Sequence, residues 1–217
     1  MQDTLDASFG WRRIEMKTLV DAMESASKKS RESPLARALA RSCVAIIYAH
    51  WEGFVKESCQ CYVDYVAKRR LRFQDLNDGL LKTALMALMR RSNTGDDAGA
   101  EALLDVVRRP QEARAHLPKN SMVDTKSNLR YVTLCEILGS AGLPLAYFET
   151  KSKLIDRSLC DSRNSIAHGR EMFPTADEIV SLHSEVVEMM DHLRALILDA
   201  SRDQSYRSSL IPQQRGS

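Results

Sequence analysis

Breaks are what this sequence has least of. Nine glycines and six prolines are spread through 217 residues, too few to punctuate many short strands, and that scarcity favours long helices. No apolar run reaches the ~18 residues a membrane span needs. Asp3 and Asp6 stand near an N-terminus with no apolar core behind it, so neither a span nor a signal peptide is expected. Charge of one sign is lacking too. The 31 basic and 29 acidic residues leave a formal net charge of +2, so no global field draws the chain to a polyanion and any such affinity must be local. The five cysteines, Cys43, Cys59, Cys61, Cys135 and Cys160, are an odd number lying mostly in apolar stretches. Cys59-Gln60-Cys61 lacks metal-site spacing and a second Cys/His pair. Reduced, mostly buried thiols in a cytoplasmic protein are therefore expected, with no metal and no other cofactor. What is present is the composition of a foldable globular chain, 44% hydrophobic and 28% charged, rather than of a disordered one.

Apolar periodicity places the helices. Phe9, Ile14, Leu19, Val20 and Met23 recur at helical spacing over about 6–29. Ser33-Pro34 is a start signal, with Ser as N-cap and Pro at the first helical position. From there to about Arg70 only Gly53 interrupts a wide stripe that includes Ala40, Cys43, Val44, Ile47, Trp51, Phe54, Val55, Cys59, Tyr62 and Val66. Further helices are expected over 80–89, 100–108, 128–138, 146–168 and 176–198, with 92–99 as a mobile loop. Gly169 suits the left-handed residue just past a helix end. The sum is all-α: a single domain spanning 1–217, built as an antiparallel helical bundle. Residues 74–126 read as an insertion of helix and loop, and 203–217 as a flexible tail.

One segment reads as chemistry rather than packing: Asp161-Ser162-Arg163-Asn164-Ser165-Ile166-Ala167-His168-Gly169. An Arg and a His separated by four residues, at a helix end closed by Gly, can contact one phosphate from two directions. The guanidinium is a planar, permanently charged fork matched to phosphate. An imidazole titrates near neutrality, which suits a general acid or base. The same residues admit a plain reading, with Arg163 paired to Asp161 or Glu149 on a helix surface and His168 as a C-terminal cap. Glu52 and Lys56, one turn apart, could form an i,i+4 pair. His50 is expected to pack in the bundle, with Tyr48 and Trp51 as core or dimer contacts. The clusters Lys68-Arg69-Arg70, Arg90-Arg91 and Arg108-Arg109 are solvated helix ends or the track for an RNA backbone. No carboxylate/His cluster has metal-ligand spacing, which argues against a metal-dependent nuclease.

The strings around these residues carry a resemblance. Arg163-Asn164-Ser165-Ile166-Ala167-His168-Gly169 resembles the signature of the HEPN superfamily. Ile47-Tyr48-Ala49-His50-Trp51-Glu52-Gly53-Phe54-Val55-Lys56 is similar to a segment of its MAE-type bacterial branch. Thr125-Lys126-Ser127-Asn128-Leu129-Arg130-Tyr131, ahead of Gly142-Leu143, is a third similar stretch. The matches fall in the family's order and cover most of 40–195. The resemblance implies a helical bundle that pairs with itself, bringing two Arg/His motifs together across a two-fold axis. It implies a metal-independent endoribonuclease that leaves a 2′,3′-cyclic phosphate and a 5′-hydroxyl, acting as a toxin or antiviral effector under a cognate antitoxin or regulatory protein. Arg163 and His168 would then be catalytic, Asn164 would orient the phosphate or the His, and Glu52 would steady Arg163 from the neighbouring helix. Lys56, Arg170, Lys68, Arg69 and Arg70 would line the RNA path. The alternative is a non-catalytic HEPN module that binds RNA, nucleotide or a partner protein.

Overall fold

The computed structural model describes residues 1–30, 33–95, 97–109, 111–118, 125 and 128–208. Among these residues there is no strand, only two isolated bridges, Arg72 with Arg114 and Leu76 with Arg207. The helices are α1 (Gln2–Lys29), α2 (Pro34–Ala67), α3 (Asp78–Asn93), α4 (Asp97–Arg108), α5 (Tyr131–Ala141), α6 (Ala146–Glu149), α7 (Ser162–Ala167) and α8 (Ala176–Arg202). The fold is all-α, and no helix among the described residues is long and apolar enough to cross a membrane.

Three long helices form the centre. The first turn of α2 is set as the sequence implies, with the Ala36 N–H donating to Ser33 Oγ at 3.1 Å and Pro34 at the start. Contacts of Phe9 with Phe54 and of Cys43 with the Leu19 carbonyl run α1 antiparallel to α2. The ion pair of Asp6 with Arg194 joins the start of α1 to the end of α8, so α1 is antiparallel to α8 as well, and α2 and α8 share a direction. A Thr175/Glu178 capping box opens α8. Trp51, Phe54, Tyr62, Phe148, Met16 and Met23 are fully buried between these helices.

One position of the expected stripe on α1 faces out. Ile14 is 66% exposed, while Arg12 is only 8% exposed. The Arg12 guanidinium lies 2.9 Å from Glu57 Oε2 and donates to the Ser8 carbonyl at 3.1 Å. A Cβ on Gly53 would stand 3.4 Å from Arg12 Nη2. Gly53 therefore interrupts nothing; it leaves room for a charged group that its ion pair allows to be buried.

Four further expectations change. The 146–168 helix is not continuous: α6 ends at Glu149, a turn follows, and Leu154–Asp161 is a π-helical stretch leading into α7. The Ser162 N–H bonds to the Arg157 carbonyl five residues back, the wide register of a π-helix. The helix placed at 128–138 starts at Tyr131, where the backbone of the preceding Arg130 is extended at φ −74° and ψ 164° and Asp156 Oδ1 accepts the Tyr131 N–H. The loop placed at 92–99 is largely helix, since α3 runs to Asn93 and α4 begins at Asp97. Gly99 there allows close approach, as a Cβ would lie 2.9 Å from the Ser92 nitrogen. Residues 203–208 dock instead of fraying: Tyr206 is 3% exposed, and its carbonyl accepts the Asn77 N–H at 2.9 Å. Residues 209–217 of the expected tail lie outside the described residues.

Candidate functional site

The end of α7 is built by a helix-terminating motif. Gly169 sits at φ +69°. Its N–H donates to the Ile166 carbonyl at 3.0 Å, and the Arg170 N–H reaches back to the Ser165 carbonyl at 2.9 Å. This paired arrangement satisfies the last carbonyls of the helix. It leaves His168 exposed at the final position of the turn, with Asn164 half-buried one turn earlier.

The chain beyond α7 is clamped from the start of α2. Arg41 donates to the carbonyls of Arg170 at 2.7 Å, Met172 at 3.1 Å and Ile166 at 3.5 Å. The guanidinium groups of Arg37 and Arg41 also lie 5.2 and 5.7 Å from the centre of the Phe173 ring, within cation–π range. These two arginines escape sequence reasoning, because they sit on α2 before the distinctive string and meet the motif only through the fold.

Arg163 lies on the inner side of α7. Its guanidinium carbon is 4.2 Å from the centre of the Tyr48 ring. Tyr48 is 2% exposed. Its hydroxyl accepts the Leu129 N–H at 2.7 Å and lies 3.5 Å from Asn128 Oδ1. Burial pushes the Tyr48 phenol above its ordinary pKa; the Leu129 N–H and Arg163 oppose that rise, and Glu52 adds to it. The strap before α5 is tied to the π-helical stretch as well. Cys160 Sγ donates to the Leu129 carbonyl at 3.2 Å, and Arg130 pairs with Asp161 at 2.6 Å. Burial pushes the Cys160 thiol up to about 12, so it is a hydrogen-bonding packing group and not a nucleophile. Thus the described parts of the three strings singled out in the sequence meet around one aromatic ring.

The other named residues divide by position. Glu52 is half-buried one turn along α2 from Tyr48, and its charge reaches the Tyr48 hydroxyl. Among the described residues neither Glu52 nor Lys56 forms an ion pair, so the i,i+4 bridge between them does not form. Arg170 is exposed beside the motif. Lys56 and Lys68 instead line a separate cleft of ≈ 610 Å³ with Met1, Thr4 and Asp64. Lys68, Arg69 and Arg70 lie ~30 Å from Tyr48 along α2, at roughly 1.5 Å per residue. Within one chain the fold therefore separates Lys56 and the 68–70 cluster from Arg163 and His168. Asp161 is engaged by Arg130. His50 packs against α1, its ring 5.2 Å from that of Trp11 and Nε2 3.0 Å from Glu15 Oε2. No group of three His, Cys, Asp or Glu among the described residues could hold a metal ion.

Chemically, the arrangement presents an oriented cation on one short helix and an exposed imidazole at that helix's C-cap, beside two further arginines. A family model described as HEPN_MAE_28990-like HEPN matches residues 1–206. No curated protein and no solved structure matches the chain.

Proposed function

Because the chain belongs to the HEPN_MAE_28990-like HEPN family, we propose that it is a metal-independent endoribonuclease that acts on RNA as a homodimer. The observation that carries this reading is the placing of Arg163 on α7 and of His168 at its C-cap, the guanidinium set on Tyr48 and the imidazole exposed to solvent. In the reaction the ribose 2′-oxygen attacks its own phosphorus, and the bond from phosphorus to the 5′-oxygen breaks. The 2′-proton goes to a base, and a proton is delivered to the departing 5′-oxygen, leaving a 2′,3′-cyclic phosphate and a 5′-hydroxyl. His168 moves the proton at the 5′-oxygen, and Arg163 balances charge on the phosphoryl oxygens. Asn164 orients the phosphate or the imidazole.

A second copy supplies the second Arg/His pair, since one pair is a thin set for both proton transfers. A cleft of ≈ 660 Å³ lined by Val44, Leu154, Met172 and Phe173 opens beside the motif, and Phe173 is 51% exposed; the partner copy covers this side. The biological role is that of a cytoplasmic toxin or antiviral effector, restrained by an antitoxin or other regulatory protein.

Purified protein in EDTA should cut RNA to cyclic-phosphate ends. His168→Ala should abolish cutting without lowering Tm, and Arg163→Ala, which gives up the contact with Tyr48, should abolish cutting with only a small fall in Tm. Equal cutting by all three proteins would refute the assignment. The near-neutral charge of +2 favours the second reading, a non-catalytic module. Binding of RNA or a partner with no cyclic-phosphate product would decide for it.

A further inference from the structure

We propose that Tyr48 is the positioning residue for Arg163, presenting its guanidinium to a phosphodiester; this rests on the nuclease reading of the same site and adds a residue to it. A guanidinium on a flexible stem samples many orientations, and the entropy of choosing one opposes binding. Here the choice is narrowed before any ligand arrives. The Arg163 guanidinium carbon stands 4.2 Å from the Tyr48 ring centre, well inside the ~6 Å range of a cation–π contact. Contact with the ring fixes one side of the guanidinium and so narrows the directions in which its N–H groups point.

The ring itself cannot swing away. It is 2% exposed, and its hydroxyl is held by the Leu129 N–H at 2.7 Å, with Asn128 Oδ1 at 3.5 Å. Leu129 is fixed in turn by Cys160, whose thiol donates to its carbonyl at 3.2 Å. Ring, strap and π-helical stretch thus form a closed set of contacts that seats α7 on α2. A displacement of ~1 Å in a positioning group costs about 100-fold in rate, so the seat matters for rate as well as for packing.

Three single variants and one double variant of the full chain test this. Tyr48→Phe keeps the ring and loses the hydroxyl; Tyr48→Leu keeps apolar bulk and loses the aromatic face. Tyr48→Phe, which keeps the ring but frees its anchor, should lower kcat less than Tyr48→Leu, which should lower it by roughly 100-fold with KM little changed. Affinity for 2′-O-methyl RNA, which cannot be cut, is measured for wild type, Tyr48→Leu, Arg163→Ala and the double variant. Once Arg163 is gone, loss of the ring should cost nothing further. Losses that multiply, equal effects of Phe and Leu, or no binding by the wild type would each overturn the proposal. Wild type that binds this RNA yet leaves ordinary RNA intact would refute the nuclease reading alone, and the affinity cycle would still judge Tyr48. If Tyr48→Leu does not fold, the wild-type spectrum decides. The Arg163 Nε–H and Cδ–H resonances, assigned with Arg163→Lys, should carry an upfield ring-current shift, and unshifted resonances would overturn the proposal.

Discussion

Gly169 offers the cleanest perturbation of the motif, because its cost separates into parts. At φ +69° a Cβ placed on it would meet nothing within 4 Å, so any penalty comes from the backbone alone. Holding an L-residue in that left-handed well costs about 1–2 kcal/mol. The chain could escape by leaving the well. It would then break the Arg170 N–H bond to the Ser165 carbonyl and pull the Arg170 and Met172 carbonyls off Arg41. Hydrogen bonds to a charged group are worth ~1.5–3 kcal/mol each, so staying in the strained conformation is cheaper. Gly169→Ala should therefore keep the native geometry and lose about 1–2 kcal/mol, a fall in Tm of roughly 2–8 °C for a chain of this size. Gly169→Asn, which tolerates the left-handed well, should lose less, and β-branched Gly169→Val should lose more. Calorimetry gives the ordering, and hydrogen exchange of the amides at 168–170 shows whether the loss is local. Ala and Asn variants as stable as the parent, or Val no worse than Ala, would refute the reasoning.

His50 and His183 are both held below the ordinary histidine pKa of 6.5, in each case first by burial. At these two sites the folded chain therefore binds fewer protons than the unfolded one, and their contribution to stability is complete above about pH 6.5 and is lost as the pH falls below it. A His50→Gln/His183→Gln variant should show a flatter decline of Tm between about pH 7 and 5 than the parent, and parallel curves would count against it. At Gly53, Leu should drive the Arg12 guanidinium off Glu57, whose side chain is 44% exposed, and cost ~2–3 kcal/mol in urea unfolding. Ala there meets Arg12 only at contact distance, 3.4 Å, so it should be neutral or gain about 0.5–1 kcal/mol; a loss from Ala comparable to that from Leu would refute this account of the glycine. For the motif itself, the paired outcome is cleavage lost with Tm kept in His168→Ala and only slightly lowered in Arg163→Ala, read by product ends and calorimetry on the same preparations.

Local chemistry is enough to write the long helices into the sequence. Ser33-Pro34 starts α2 and Gly169 ends α7, because a cap and a left-handed turn are decided within a few residues. The all-α class follows from the same periodicity and the rarity of breaks. The Arg163/His168 string is readable for a similar reason, since Arg163 lies on α7 and His168 caps it. Periodicity counts apolar residues, however, and is blind to which partner a side chain meets. It placed Ile14 inside and could not place Arg12 there, since only Glu57 and the space over Gly53 make that burial possible. It ran one helix through 146–168, because the wide register at 154–161 has no composition of its own. The strap before α5 is held at Leu129 by the Tyr48 hydroxyl and the first N–H of α5 by Asp156, and neither partner is near in sequence. The separation of the 68–70 cluster from the motif, and the seat of Arg163 on Tyr48, come from α7 lying across the first half of α2. Such pairings depend on contacts between residues far apart in the chain, which no local propensity encodes; tertiary packing alone decided them.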